Sequence, residues 1–125
     1  MSTPAVISVV DDDASVRSAT KRLLRALGHV VYTFSSAEQF LASPYLNDTS
    51  CVIVDVQMSA MNGLELLATM RSRGHNVPAI LVTASPDDRV HALALKAGAI
   101  FFLTKPLTAR ELTACLDAAL AVRGS

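Results

Sequence analysis

The stretch Cys51-Val52-Ile53-Val54-Asp55 decides how the rest of the chain is read. Cys51–Val54 is an unbroken apolar run with no polar alternation, the pattern of a central strand covered on both faces, and strands of that kind belong to parallel sheets layered with helices. A carboxylate directly after such a run is costly in an interior, so Asp55 is expected at the strand's end. In open parallel sheets the carboxyl ends of the strands line the crevice where ligands bind.

Similar units recur on either side. Ala5–Val10 and Val30–Phe34 precede this run, and Ala79–Val82 and Ile100–Leu103 follow it, each short and rich in apolar residues. Between them the period changes to that of helices, expected over Ala14–Leu27, Ser36–Ala42, Gly63–Arg73, Asp87–Lys96 and Ala109–Val122. Val16, Ala19, Leu23 and Leu27 form a stripe on the first helix, with Gly28 as its C′ residue. Ser35 with Glu38, and Thr108 with Glu111, have the spacing of capping boxes, and Pro44 closes the second helix. Leu64, Leu67 and Met70 lie on one side of the third helix, and Leu112, Leu116 and Leu120 are spaced to pack inward on the last. Five strand–helix units predict an α/β fold: a flavodoxin-like, doubly wound, five-stranded parallel sheet in the order 2-1-3-4-5 with five helices. One domain is expected over residues 1–125, with 123–125 as a tail or linker start.

Composition narrows the function classes. With 51% apolar and 18% charged residues in 125, the chain can bury a core and is not of the disordered class. Eleven basic residues balance eleven acidic ones, so net charge favours neither nucleic acid nor an anionic membrane. No run reaches the ~20 apolar residues of a membrane span. Met1-Ser2-Thr3-Pro4 lacks the basic and apolar stretches of a secretory signal, which makes a cytoplasmic location the default. Cys51 and Cys115 have no CxxC spacing and are expected as reduced core residues, and the isolated His29, His75 and His91 as surface or boundary residues.

In the order 2-1-3-4-5 the first and third strands flank the topological switch point. Asp11 and Asp12 follow the first strand, Asp55 the third, Thr83 the fourth and Lys105 the fifth, so all converge on one crevice. Clustered carboxylates repel one another and either share a proton or recruit a cation. Mg2+ suits them, since it takes a few hard oxygen ligands, keeps waters and bridges carboxylates to phosphate. A carboxylate can attack phosphorus to form an aspartyl phosphate, and phosphoryl transfer rests on positioning and charge neutralisation. Asp55 is then the candidate nucleophile, with Lys105 and Thr83 available to the phosphoryl oxygens. Each residue also has a plain reading: Asp11, Asp12 and Asp13 as acids opening the first helix, Thr83 as a turn residue, Lys105 as a solvated charge, Asp55 as a loop residue. Complementary chemistry at four strand ends together favours a site.

These residues also carry a resemblance. VVDDD at Val9–Asp13, VDVQMSAMNG at Val54–Gly63, LVTA at Leu81–Ala84 and KAGAIFFLTKP at Lys96–Pro106 resemble the receiver domain of two-component response regulators over nearly the whole chain. SSAEQFLAS at Ser35–Ser43 is most similar to the nitrogen-fixation regulator type, in which a receiver precedes a DNA-binding module. The resemblance implies that Asp55 accepts a phosphoryl group from a phosphohistidine of a sensor histidine kinase. It implies a Mg2+ ion held by Asp12 directly, by Asp11 through water, by Asp55 and by the backbone carbonyl of Gln57. Lys105 would pair with Asp55 or the phosphoryl oxygens, and Thr83 would bond the phosphoryl group. Thr83 and Phe102 would form the switch, although from the residues alone Phe102 is an ordinary strand aromatic.

The implied output is a population shift of the surface made by the fourth helix, fifth strand and fifth helix, used for a homodimer or an output partner. A cis Lys105–Pro106 bond is implied too, where the residues alone also allow a trans turn. Ser59 stands where the family usually has proline, which is expected to loosen the loop after the third strand, and Leu107 replaces a frequent phenylalanine. Gln57 and Ser85 would flank an attacking water and influence the phosphoryl lifetime.

Two other functions share parts of the pattern. A dehalogenase-like phosphatase also uses a strand-end aspartate with magnesium, but wants a second aspartate two residues on as its acid–base, where this chain has Gln57. A nucleotide or flavin module needs a glycine-rich loop after the first strand, where Asp11 and Asp12 would repel phosphate without a metal. The expectation is therefore a phosphoacceptor switch, not an enzyme of turnover, with weak self-phosphorylation from small donors and self-dephosphorylation. No segment reads as a DNA-recognition helix, so a DNA-binding output domain, if the receiver is not stand-alone, would lie outside this chain.

Overall fold

The computed structural model describes residues 5–58 and 60–124. Strands β1 (Val6–Val10), β2 (Val30–Phe34), β3 (Cys51–Asp55), β4 (Ala79–Thr83) and β5 (Phe101–Thr104) form one parallel sheet in the order β2-β1-β3-β4-β5. Helices α1 (Ala14–Ala26), α2 (Ala37–Leu41), α3 (Gly63–Ser72), α4 (Asp88–Lys96) and α5 (Ala109–Gly124) alternate with them, and a 3-10 turn, Pro44–Leu46, follows α2. The expected fold class, strand order and helix count are all present.

β3 lies between β1 and β4, and every one of its residues is buried. Its side chains alternate between two cores, as the period of two requires. Val52 and Val54 join Phe40, Leu66, Leu67, Met70 and Ala94 from α2, α3 and α4, while Cys51 and Ile53 join Leu24, Leu112 and Leu116 from α1 and α5. Both faces of the sheet are thus covered. Cys51 and Cys115 are both buried, and burial together with the Glu111 charge pushes the Cys115 thiol up. No helix among the described residues is long and apolar enough to cross a membrane.

Registry sets the site. Val10 pairs with Val54, Asp55 with Val82, and Thr83 with Thr104. Asp11 therefore stands level with Asp55, while Thr83 lies one step and Lys105 two steps further along their strands.

Several helix details differ from expectation. On α1 the buried residues are Thr20 and Leu24, while Leu27 is the C-cap and 36% exposed, so the inward stripe lies one residue along from the predicted one. Gly28 does occupy C′, with φ +94°, where a side chain would be strained. The cap of α2 is Ser36, not Ser35: its hydroxyl accepts from the Gln39 N–H, and Gln39 Oε1 accepts from the Ser35 N–H. The run Ser-Ser-Ala-Glu-Gln offers two overlapping cap frames, and the second forms. An unpredicted capping box, Asn62 with Glu65, opens α3. Thr108 caps α5 as expected by accepting from the Glu111 N–H, and its hydroxyl donates to Glu111 Oε1. α5 runs to Gly124, two residues beyond the predicted end, so Arg123 and Gly124 are helical; Ser125 and the Met1–Pro4 terminus lie outside the described residues.

Candidate functional site

The three consecutive aspartates after β1 have separate roles. Asp13 alone caps α1, accepting from the N–H groups of Ser15 and Val16 at 2.8 and 3.1 Å. The first turn of α1 itself carries no acid. Asp11 is buried at 3% exposure and Asp12 is exposed. Arg17, one turn into α1, braces the loop by donating from Nη1 to the Asp11 carbonyl oxygen at 2.6 Å.

Asp55, 6% exposed, faces Asp11. Lys105 Nζ lies between them, donating to Asp11 Oδ2 at 2.9 Å and Asp55 Oδ2 at 3.0 Å. The other oxygens accept from backbone N–H groups two residues on, Asp11 Oδ1 from Asp13 and Asp55 Oδ1 from Gln57, at 2.9 and 3.0 Å. Carboxylate oxygens of Asp11, Asp12 and Asp55 all lie within 4.8 Å of one another.

At that separation the buried carboxylates of Asp11 and Asp55 repel each other by on the order of 3 kcal/mol, and the exposed Asp12 adds a smaller, solvent-screened repulsion. One ammonium among three carboxylates leaves an excess of two negative charges, the charge of a divalent cation. The donor set is all hard oxygen, and the exposed Asp12 leaves one side open to water, so these residues fit Mg2+.

The local electrostatics follow from burial. Burial is the largest influence on Asp55 and raises its carboxyl; the Gln57 N–H and Lys105 pull it back and the Asp11 charge pushes it up, leaving it above the ordinary carboxylate value. Burial by itself lowers the Lys105 ammonium, but the bonds and charges of Asp11 and Asp55 outweigh it and raise its pKa. Lys105 is therefore a firm cation, aimed where negative charge gathers.

Gly63, read from the sequence only as a helix start, shapes the site from behind. A Cβ there would stand 2.6 Å from the Asp55 carbonyl oxygen and 3.0 Å from Val56 Cα, both backbone, so only glycine lets α3 pack this close to the end of β3.

Of the remaining predicted residues, Gln57 follows β3, while Thr83, Phe102 and Ser85 lie on the β4–β5 side. Thr83 is buried, and its hydroxyl accepts from the Ser85 N–H at 3.1 Å and donates to the Ser85 carbonyl at 3.3 Å. Gln57 is exposed and meets Asp55 through its N–H. The Lys105–Pro106 bond is cis. Phe102 is half-buried and stacks on His91 of α4, with ring centroids 4.9 Å apart and an interplanar angle of 11°. His91 is a surface residue as expected, but its aromatic partner was not anticipated, since only the packing of α4 on β5 brings the two together. Ser59, expected to loosen the loop after β3, lies outside the described residues.

Comparison with known proteins gives the same picture. Residues 7–117 match the response regulator receiver domain. The chain is 38% identical over 118 residues to the transcriptional regulatory protein TdiR of Thauera aromatica, covering 94% of this chain and 52% of that protein. It is 37% identical over 121 residues to the transcriptional regulatory protein FixJ of Bradyrhizobium diazoefficiens, covering 96% and 58%. The solved response regulator receiver domain protein (CheY-like) from Methanospirillum hungatei JF-1 matches at 25% identity and a TM-score of 0.87, over 98% of both chains. The chain spans about half the length of the curated relatives it matches. Motif, sheet order and crevice agree: the chain belongs to the response regulator receiver domain family, the phosphorylation-controlled signalling switches of two-component systems.

Proposed function

We propose that Asp55 is the phosphoacceptor of a two-component phosphorelay and that a sensor histidine kinase supplies the phosphoryl group. One observation carries the reading: Lys105 Nζ reaches Asp55 Oδ2 and Asp11 Oδ2 at 3.0 and 2.9 Å, within a cluster of three carboxylates that it cannot neutralise alone. Such a cluster has the charge for a divalent cation and a lysine aligned with the oxygens of an incoming phosphoryl group.

Asp11, Asp12, Asp55 and the carbonyl of Gln57 would hold Mg2+. When bound, the ion offsets the carboxylate charge and draws negative charge from the transferring oxygens. An Asp55 carboxylate oxygen attacks phosphorus, the bond from phosphorus to the donor imidazole breaks, and the imidazole leaves with its electron pair. Lys105 exchanges part of its bond to Asp55 for the phosphoryl oxygens, and the Thr83 hydroxyl turns from Ser85 to donate to one of them. Phe102 follows, and the surface of α4, β5 and α5 shifts toward the form that dimerises or binds an output module outside this chain. Small phosphodonors serve weakly in place of the kinase. Hydrolysis of the acyl phosphate, past Gln57 and Ser85, resets the site.

Incubation with acetyl phosphate and Mg2+, read by intact mass, tests the reading. The expected result is a gain of one phosphoryl group in the wild type and none in Asp55→Asn. No gain in the wild type, or a gain that persists in the variant, would sink it.

A further inference from the structure

We propose that His91 is a positioning residue for Phe102: its imidazole, stacked on the phenyl ring, holds the arrangement in which Thr83 is bonded to Ser85, and so opposes phosphorylation of Asp55. The inference rests on the phosphoacceptor reading above and adds a device that the strand-end motif does not contain.

Phe102 sits opposite Leu81 on β4, two residues before the pair formed by Thr83 and Thr104. Its ring packs partly against the core on the α2–α3–α4 side of the sheet. The imidazole of His91 lies nearly parallel to it, 4.9 Å away at 11°. A concavity of about 410 Å³, lined by Pro86, Asp87, Asp88, His91, Phe102 and Thr104, opens beside the stack. His91 is exposed. The contact is therefore peripheral, free of the packing that would lock a core pair, and can break without disturbing the fold.

Such a contact matters because the two ends of β4 and β5 are joined. Lys105 donates its N–H to the Thr83 carbonyl at 2.8 Å, so Thr83, Lys105 and the strand carrying Phe102 form one backbone-linked unit. An interaction made in only one arrangement of this unit biases the equilibrium by its full strength, and the bias appears equally in the affinity for whatever favours the other arrangement. Stacked aromatic pairs shift an equilibrium by roughly two- to tenfold beyond their burial. Without the imidazole, the outer face of Phe102 meets water and the ring gains by turning toward the core.

The test measures affinity for beryllofluoride, a stable mimic of the phosphoryl group, by calorimetry in saturating Mg2+. His91→Ala is expected to bind it roughly two- to tenfold more tightly than the wild type. His91→Phe, which keeps a stacked ring, is expected to return close to the wild-type value. In a Phe102→Ala background the His91→Ala effect should vanish, because the pair acts as one unit. An unchanged or weaker affinity in His91→Ala, or an effect that survives in Phe102→Ala, overturns the role of His91 while leaving Asp55 as phosphoacceptor. A wild type that neither binds beryllofluoride nor takes a phosphoryl group from acetyl phosphate overturns the phosphoacceptor reading itself, and this inference with it.

Discussion

The crevice has two sides built on different principles. On the β1–β3 side, Asp11 and Asp55 are buried and tied to one ammonium at 2.9 and 3.0 Å, with their remaining oxygens on backbone N–H groups. On the β4–β5 side, Thr83 keeps a local turn with Ser85 and Phe102 leans on an exposed histidine. Charge fixes the first side in one arrangement and leaves it short of a cation. Weak, replaceable contacts hold the second, so a modest gain elsewhere can rearrange it. A switch needs both, a site that senses a charge and a segment whose alternatives lie close in energy.

The largest effect should come from breaking the cation's hold on the first side. Asp12 is exposed and contributes to the acidic cluster. Asp12→Asn is expected to weaken Mg2+ binding by at least about 10- to 100-fold, the scale seen when groups supporting a metal are lost. Its urea midpoint in metal-free buffer should change little. Calorimetric titration with Mg2+ checks the first point, and equal Mg2+ affinity in variant and wild type would remove Asp12 from the cation site.

Next comes the backbone under Asp55. Gly63→Ala sets a methyl group 2.6 Å from the Asp55 carbonyl oxygen, where neither α3 nor β3 can yield without moving the other. A cost of about 1–3 kcal/mol in urea unfolding is expected, the range for overpacking a filled interior. Phosphorylation by acetyl phosphate should slow as Asp55 is displaced. A variant as stable and as reactive as the wild type would mean that the end of β3 is softer than its burial indicates.

The two sides also differ in how far the sequence reveals them. Asp55 and Lys105 were legible because a strand run ending in a charge locates that charge, and the order of five runs brings the ends together. The α1 stripe went astray by one residue because Thr20 turns inward, and a periodicity built on apolar residues passes over a buried threonine. The α2 cap slipped because two serines offer adjacent frames. His91 and Phe102 sit on different elements, and their contact depends on how α4 lies across β5. The close approach of Gly63 to Asp55 was invisible for the same reason, since its cause is the distance between α3 and β3. Local chemistry reads well from a sequence; contacts made by the docking of two elements do not.

A smaller effect is expected from the second side. Thr83→Ala removes a hydroxyl whose two bonds go to the backbone of exposed Ser85, which water can satisfy in its place. With its buried methyl lost as well, the cost should be about 1–2 kcal/mol in urea unfolding. Acetyl phosphate should still phosphorylate Asp55, because the nucleophile and Lys105 are untouched. Loss of the mass gain in Thr83→Ala would show that the two sides are not separable in this way.

The smallest effect, on pH dependence, bears directly on the charge stored in the first side. Asp55 titrates above its ordinary 3.8 because burial disfavours its anion. The folded protein then holds that proton more tightly than the unfolded chain, so as pH rises from 3.8 through the raised value the Asp55 contribution to stability falls. Lys105 has the opposite sense: its contribution is fully present below 10.5 and is lost only as pH climbs through its raised value, so it adds no slope in the acid range. In metal-free buffer Asp55→Asn should therefore be slightly more stable than the wild type near neutral pH, and the gap should close as pH falls below 3.8. Mg2+ should reverse the order, since a cation binds the ionised carboxylate and stabilises the folded state that holds it. Urea midpoints at both pH values, with and without Mg2+, read all four conditions. A wild type already more stable than Asp55→Asn at neutral pH without metal would mean that Lys105 more than offsets the burial of Asp55, and that the crevice carries no stored repulsion for a cation to relieve.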